Sequence, residues 1–358
     1  MKDNPLVGII INNYNYGRFL QDAIDSALNQ NYPNTQVIVV DDGSTDDSRE
    51  IISTYKEKII SVLKENGGQA SALNAGFQAS QGEIVIFLDA DDYLYPYTVE
   101  RVVAVWEPGL AKVHYRLQIL DATGSLITTR PASDTTLDSG DILPSLLQSG
   151  GYTTTPTSGN AFSRAVLSQI LPIPEDQFRI SADGYLITLV PFYGEIAAVE
   201  EPLGVYREHG NNLWARSRQT VVAESLQRLV KHDYQKYELL VAKATELGHP
   251  QPQNLGFKDY FHLRHRIASL RLAPENHPIP SDVSFVLAYK GFWAVWLHSK
   301  FKWTKKLILS IWFIWVGLLP LFLVKPAISW LLAPESRSKA KAQMPKFQSV
   351  MHPNSLDS

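Results

Sequence analysis

Two runs of carboxylates stand out as residues whose type and spacing could do chemistry: Asp41-Asp42-Gly43-Ser44-Thr45-Asp46 and Asp89-Ala90-Asp91-Asp92. Three acids within four positions, directly after an apolar run, repel one another. A divalent cation relieves that cost, and Mg²⁺ or Mn²⁺ takes oxygen ligands from one or two carboxylates plus substrate phosphates. The first run also suits a plain strand-to-helix turn, since Asp, Gly and Ser supply turn geometry and a helix cap. Neither a P-loop Gly-Lys-Ser/Thr nor a dinucleotide Gly-x-Gly-x-x-Gly occurs in the first unit. With no cysteine in 358 residues, disulfides, thiolate metal sites and a cysteine nucleophile are excluded. Two such carboxylate runs without either phosphate loop suggest a nucleotide held by a metal, which would neutralise a diphosphate as it departs.

Both acidic runs close short apolar segments. Leu6–Ile11 is continuously apolar or small, too short for a signal-peptide core and suited to a strand buried on both faces. Leu20, Ala23, Ile24, Ala27 and Leu28 then recur at helical spacing. Val37–Val40, Ile59–Leu63 and Ile84–Leu88 read as further strands, with helices around Ile51–Tyr55, Gln69–Ala79 and Val99–Trp106. The alternation predicts an α/β fold of right-handed βαβ units with a mostly parallel sheet and flanking helices. Ligands of such sheets bind beyond the carboxyl ends of the strands, where both acidic runs fall. From residue 111 the pattern changes: a hairpin over Val113–Thr129, short helices over Ser139–Gln148, Ser163–Ile170 and Asp183–Tyr193, and short strands at Ile196–Val199 and Leu203–Tyr206.

In four segments the sequence resembles glycosyltransferase family 2, inverting enzymes with the GT-A fold: Val7–Leu20, with Tyr14-Asn15 before a helix; Val39–Asp46; Asn66-Gly67-Gly68-Gln69-Ala70-Ser71-Ala72-Leu73-Asn74-Ala75-Gly76; and Phe87–Asp92. The likeness continues to about Asn212. It implies that Asp41 meets the base or ribose of a sugar nucleotide, that Asp89 lies near the ribose and metal, and that Asp91 is the direct metal ligand. Asn13, Tyr14 and Asn74 fall in matching segments and are expected at the donor. Ser181-Ala182-Asp183-Gly184-Tyr185 resembles the acceptor-side motif, which makes Asp183 the base that takes the acceptor proton. The base is favoured over the alternative that Asp183 caps the helix after it, and over Glu175 and Asp176 as rivals for the role. In Tyr206-Arg207-Glu208-His209-Gly210-Asn211-Asn212, the likeness puts Arg207 and His209 at the diphosphate. Two departures are Leu73, where relatives often carry a basic residue, and Ala182, where an acid is usual.

Charge divides unevenly along the chain. The whole carries 33 basic against 36 acidic residues, which disfavours nucleic acid as a partner. From Ser299 onward the balance is nine to two, net +7, and six of eight tryptophans lie between Trp293 and Trp330. Leu307–Val324 holds 18 residues without a charge, about 27 Å as a helix, near the roughly 30 Å of a bilayer core. Pro320 and Lys325-Pro326 interrupt the apolar stretch, so a span and a re-entrant or interfacial hairpin both remain open. The expected organisation is a GT-A domain over 1–214, a helical connector over 215–280, membrane-associated helices over 281–333 and a basic tail over 334–358. The expected protein is an enzyme on the cytoplasmic face of a membrane. It would move a sugar from a nucleotide-diphosphate donor, with Mg²⁺ or Mn²⁺, to a lipid-linked or saccharide acceptor in polysaccharide or glycolipid synthesis. Its rivals are an inactive membrane-tethered nucleotide-sugar-binding scaffold and a nucleotidyltransferase, the latter without its usual Gly/Arg-rich loop.

Overall fold

The computed structural model describes residues 4–210, 212, 221–299 and 301–333. The expected tail over 334–358 lies outside the described residues. Contacts divide the chain into two units, Met1–Ala215 with His232–Asp259, and Arg216–Lys231 with Tyr260–Ser358. The stretch read as a connector is therefore divided between them.

The first unit is built on nine strands: β1 (Val7–Asn13), β2 (Thr35–Asp42), β3 (Ile60–Lys64), β4 (Ile84–Asp89), β5 (Tyr93–Leu94), β6 (Leu110–Asp121), β7 (Leu126–Arg130), β8 (Asn160–Ser163) and β9 (Glu195–Glu208). They form one sheet in the order β3-β2-β1-β4-β8-β6-β9-β5, with β7 paired to β6. The parallel character expected holds for β3-β2-β1-β4 and again for β6 with β9. The pairings of β8 with β4 and β6, of β5 with β9 and of β7 with β6 are antiparallel. The sheet is thus mixed rather than mostly parallel, because β8 lies reversed between β4 and β6 and β7 folds back on β6 as a hairpin. The two short strands expected after residue 195 are one strand, β9, with register shifts where it pairs β6.

Alternation along β1 sorts its side chains into two apolar layers. Val7, Ile9 and Ile11 join Leu20, Ala23 and Ile24 of α1 (Gly17–Leu28), Ile52 of α2 (Ser48–Thr54) and Val99 of α4 (Thr98–Ala104). Ile10 points the other way, to Ala72 and Leu73 of α3 (Gln69–Ala79), Leu167 of α6 (Arg164–Ile170) and Leu186 of α7 (Ala182–Leu189). The small residues of α3 let it lie close on the sheet: a Cβ at Gly76 would come 2.2 Å from Ile10 Cγ2. A short helix, α5 (Leu143–Ser149), and the long α8 (Ala223–Glu246) complete the described helices before residue 260.

The second unit contains α9 (Tyr260–Leu272), α10 (Ser284–His298), α11 (Trp303–Leu318) and α12 (Leu321–Leu332). Trp312 and Trp315 donate their indole N–H groups to the carbonyls of Ala327 and Leu323, which folds α12 back on α11. Asp282 accepts from Arg266 and His277 at the start of α10. Pro320 divides the uncharged run 307–324 between α11 and α12. Among the described residues, no helix is long and apolar enough to cross a membrane.

Candidate functional site

The carboxyl ends of β1, β2 and β4 border a cleft of about 310 Å³. Asn12, Asn13 and Tyr14 line it from β1 and the residue after it, and Asp89 and Asp91 from the end of β4. Gln69 contributes from α3, Ile180 from the approach to α7, and Tyr206 and Asn212 from β9 and beyond. An open depression of about 590 Å³ lies at the ends of β2 and β3, lined by Ser44, Arg49, Lys64 and Asn66 among others.

The acids after β4 are enclosed together. The Asp89 carboxyl is pushed up to about 7 by burial and by the negative charge of Asp91, with Asp183 adding to it. Burial, Asp91 and Asp89 likewise hold Asp92 well above the ordinary carboxylate range. Asp92 is met by the Ser158 hydroxyl at 2.6 Å and the Arg207 N–H at 3.0 Å. Asp91 accepts from Asn212 Nδ2 and from His209 Nε2, each at 3.0 Å, and its side chain is 11% exposed. Arg18 Nη2 donates to the other ring nitrogen of His209, which fixes the tautomer that donates to Asp91. The rings of Tyr16 and Phe19 pack on His209. Burial and the charges of Asp91 and Asp89 push the Tyr16 phenol up to about 12.

The other expected site residues fall into two groups. Asn13, Tyr14, Asp89 and Asp91 line the cleft together, and His209 bonds Asp91 there. Asp41 is adjacent but fully covered, accepting from Asn13 Nδ2 at 3.0 Å, Ser44 N at 3.1 Å and Arg49 Nε at 2.8 Å. Burial raises its carboxyl, but Arg49, Ser44 and Asn13 outweigh it and hold the group below its usual value. Asp183 lies in the first turn of α7 and accepts from the next N–H, Gly184, at 2.9 Å. It stands three residues from Ile180 on the cleft wall, and its charge is felt at Asp89.

Two residues expected at the donor are engaged elsewhere. Asn74 is not at the donor cleft: its amide accepts from Ile173 N at 2.8 Å and donates to Ile173 O at 3.0 Å, so both ends are spent clipping the loop before α7. The Arg207 guanidinium pairs with Asp22 at 2.6 Å and lies over the rings of Phe19 and Tyr93. Arg207 serves the acidic end through its backbone N–H instead.

Sequence reasoning passed over Gln69. Its Nε2 donates to Asp89 at 3.2 Å while its Oε1 accepts from Ala182 N at 3.1 Å, tying the acidic strand end to the helix that carries Asp183. Its place directly after Gly67-Gly68, at the start of a helix, was the available signal. Gly67 and Gly68 donate to Asp42 at 3.0 and 2.7 Å. At Gly68, φ is +90° and a Cβ would meet Arg179 O at 2.7 Å, so only glycine suits that turn. The support from Ser158 had no local signal at all.

An acid-ended parallel half-sheet with this cleft defines an α/β protein of the GT-A-like class. Residues 8–119 match the family model for glycosyl transferase family 2, and the chain carries a domain of that family. An uncharacterised glycosyltransferase from Nostoc sp. strain PCC 7120 is 40% identical over 212 residues, covering 58% of this chain and 66% of that protein. The putative teichuronic acid biosynthesis glycosyltransferase TuaG of Bacillus subtilis is 41% identical over 92 residues, 25% of this chain and 36% of that one. The chain thus spans just under two thirds of the first relative and about a third of the second. Among solved structures, a Pyrobaculum calidifontis mannosyltransferase in complex with GDP-Man and Mn²⁺ is similar in fold, with TM-score 0.50 and 20% identity. That likeness covers 96% of this chain and 87% of that one.

Proposed function

We propose that the protein transfers a sugar from a nucleotide-diphosphate donor to an acceptor hydroxyl with inversion, in polysaccharide or glycolipid synthesis. The observation that carries the reading is the enclosed Asp89-Asp91-Asp92 group at the cleft, within a glycosyl transferase family 2 domain. The Asp91 charge raises the proton affinity of Asp89 and Asp92, which is the electrostatic condition a bound cation relieves. The Oδ1 atoms of Asn12 and Asn13 are buried and meet no hydrogen-bond partner among the described residues. The donor set is all oxygen at Asp91 and Asp89, which fits Mg²⁺ or Mn²⁺. A cation bound there supplies charge neutralisation to the leaving diphosphate.

The chain's own residues do the rest. His209 and Asn212 fix one oxygen of Asp91 and leave its orientation defined. Gln69 keeps α7 in register with the acidic strand end. Asp183 takes the acceptor's proton as the acceptor oxygen bonds to the anomeric carbon. The bond from that carbon to the phosphate oxygen breaks, and the nucleoside diphosphate departs with the electron pair.

The test is to incubate the full chain with Mn²⁺ and a panel of nucleotide sugars and saccharide or lipid-linked acceptors. Nucleoside diphosphate release and the anomeric configuration of the product are then read. Inverted product is expected, and Asp183→Asn should lower turnover about a thousandfold with donor binding kept. Donor bound without turnover on every acceptor would favour the scaffold, and a retained configuration would exclude Asp183 as a base for direct displacement.

A further inference from the structure

The second unit exposes what a water-facing helix hides. On α11, Leu307, Ile308, Ile311, Ile314, Trp315 and Leu318 are all exposed, while Leu309, Phe313 and Val316 are buried on its other side. The helix is therefore apolar on both faces. Phe285, Tyr289 and Trp293 continue the pattern on α10, and Leu321 and Phe322 on α12, with Phe322 73% exposed. An apolar surface on this scale marks an interaction site.

Charge says what covers it. From Val283 to Ala333 the sequence holds six lysines, Lys290, Lys300, Lys302, Lys305, Lys306 and Lys325, and no acid. A symmetric contact with a second copy through this face would set lysines against lysines. An anionic lipid surface complements them, each basic residue near the surface adding attraction.

Length and position say how it lies there. At 16 and 12 residues, α11 and α12 reach about 24 and 18 Å, short of a roughly 30 Å hydrocarbon core. A tip-first hairpin turning at Pro320 would bury Lys325, five residues on and exposed, about 8 Å from its deepest point. Lying flat, the apolar residues enter the headgroup–acyl boundary while Lys302, Lys305 and Lys325 stay among the headgroups. We propose that α10–α12 form an in-plane docking surface for an anionic lipid bilayer.

The test uses the full chain with vesicles of phosphatidylcholine alone or with about 30% phosphatidylglycerol, read by co-sedimentation and by tryptophan quenching with lipids brominated near or far from the headgroup. Preference for the anionic vesicles by about tenfold or more is expected, with the shallow bromines quenching more. Ile311→Glu and Phe322→Glu should each lower partitioning to both vesicles about tenfold with the thermal midpoint kept, since both sites are exposed. The pair Lys302→Glu with Lys305→Glu should remove the anionic preference alone. Stronger quenching by deep bromines would overturn the flat arrangement. No binding to either vesicle, or a solution dimer that Ile311→Glu dissociates, would overturn the lipid partner. None of these readouts depends on sugar transfer, so failure here is distinguishable from failure of the proposed reaction.

Discussion

Two strands of one sheet, both paired to β8, handle charge in opposite ways. β4 is apolar for five residues and releases Asp89, Asp91 and Asp92 at and beyond its carboxyl end, beside the cleft. β6 carries Lys112, His114 and Arg116 at alternate positions in its middle, all buried on one face. Lys112 Nζ donates to Tyr152, Thr154 and Asn160, each at 2.9 Å. Nε2 of His114 donates to Asp138 O, leaving its Nδ1 to accept from the Thr154 hydroxyl. Arg116 meets the carbonyls of Pro131, Ala132, Thr135 and Glu200 and the Glu200 carboxylate. Charge at the strand end borders the cleft, whereas charge in mid-strand is enclosed and consumed by the protein. The basic face still serves the acids. Asn160 also binds the carbonyls of Thr155 and Pro156, and the turn that follows presents Ser158 to Asp92 and to the Asp89 N–H.

The comparison is broken most directly at its acidic end. Asp91→Ala should lower sugar transfer about a thousandfold, roughly 4 kcal/mol, through loss of the carboxylate proposed to hold the cation that would neutralise the departing diphosphate. Its thermal midpoint should change little, because Asp89 and Asp92 lose a repelling neighbour while His209 and Asn212 lose the acceptor they share. Turnover at the wild-type level would remove Asp91 from the reaction. Lys112→Met should do the reverse, costing about 3 kcal/mol of stability by leaving three buried oxygens without their donor. Urea titration would measure it, and a loss below about 0.5 kcal/mol would mean the loop holds without this anchor.

The same contrast explains what could be read from sequence. A carboxylate at a strand end interrupts an apolar run and is visible as a break, so β1 to β4 and the residues Asp89 and Asp91 were legible. Lys112-Val113-His114-Tyr115-Arg116 has the period of a strand with one polar face, which looks the same whether that face meets water or a covering loop. The cover comes from residues 131–160, whose hydrogen bonds to β6 are long-range and carry no local signature. Asn74 shows a related failure: its place in a motif was visible, but the loop that uses both ends of its amide lies 99 residues away. In the second unit the 18-residue uncharged run and its interruption at Pro320 were both visible, whereas the indole hydrogen bonds of Trp312 and Trp315 that hold α12 back on α11 carried no sequence signal.

Acid sharpens the comparison by a smaller amount. Burial and the nearby Lys112 charge push His114 down to about 2. The unfolded chain binds a proton there below about pH 6.5, and the folded chain does not until far lower. Stability from this group is therefore full above pH 6.5 and falls as pH drops, by at most about 1.4 kcal/mol per unit, or roughly 2 kcal/mol by pH 5. Asp89, held up near 7, works in the opposite direction, gaining stability as pH falls from 7 toward 4. The measurement is consequently the difference between wild type and His114→Gln in chemical denaturation at pH 7 and pH 5. The variant should lose less on acidification, and equal losses would mean His114 charges without opening the β6 face.

The smallest effect separates a residue that holds the site's frame from one that meets the donor. Asn74→Ala removes both hydrogen bonds to Ile173, whose N–H and carbonyl are then left in a buried loop. The expected cost is about 1–2 kcal/mol of stability, and because Asn74 does not line the cleft, KM for the nucleotide sugar should stay within about twofold of wild type. Asn74→Asp keeps the acceptor for Ile173 N–H but replaces the donor with a charge beside Glu175, so it should cost more stability than the alanine variant while leaving KM alike. If either variant instead raised KM tenfold with an unchanged midpoint, Asn74 would join the residues proposed to meet the donor, and the loop before α7 would have to move on donor binding.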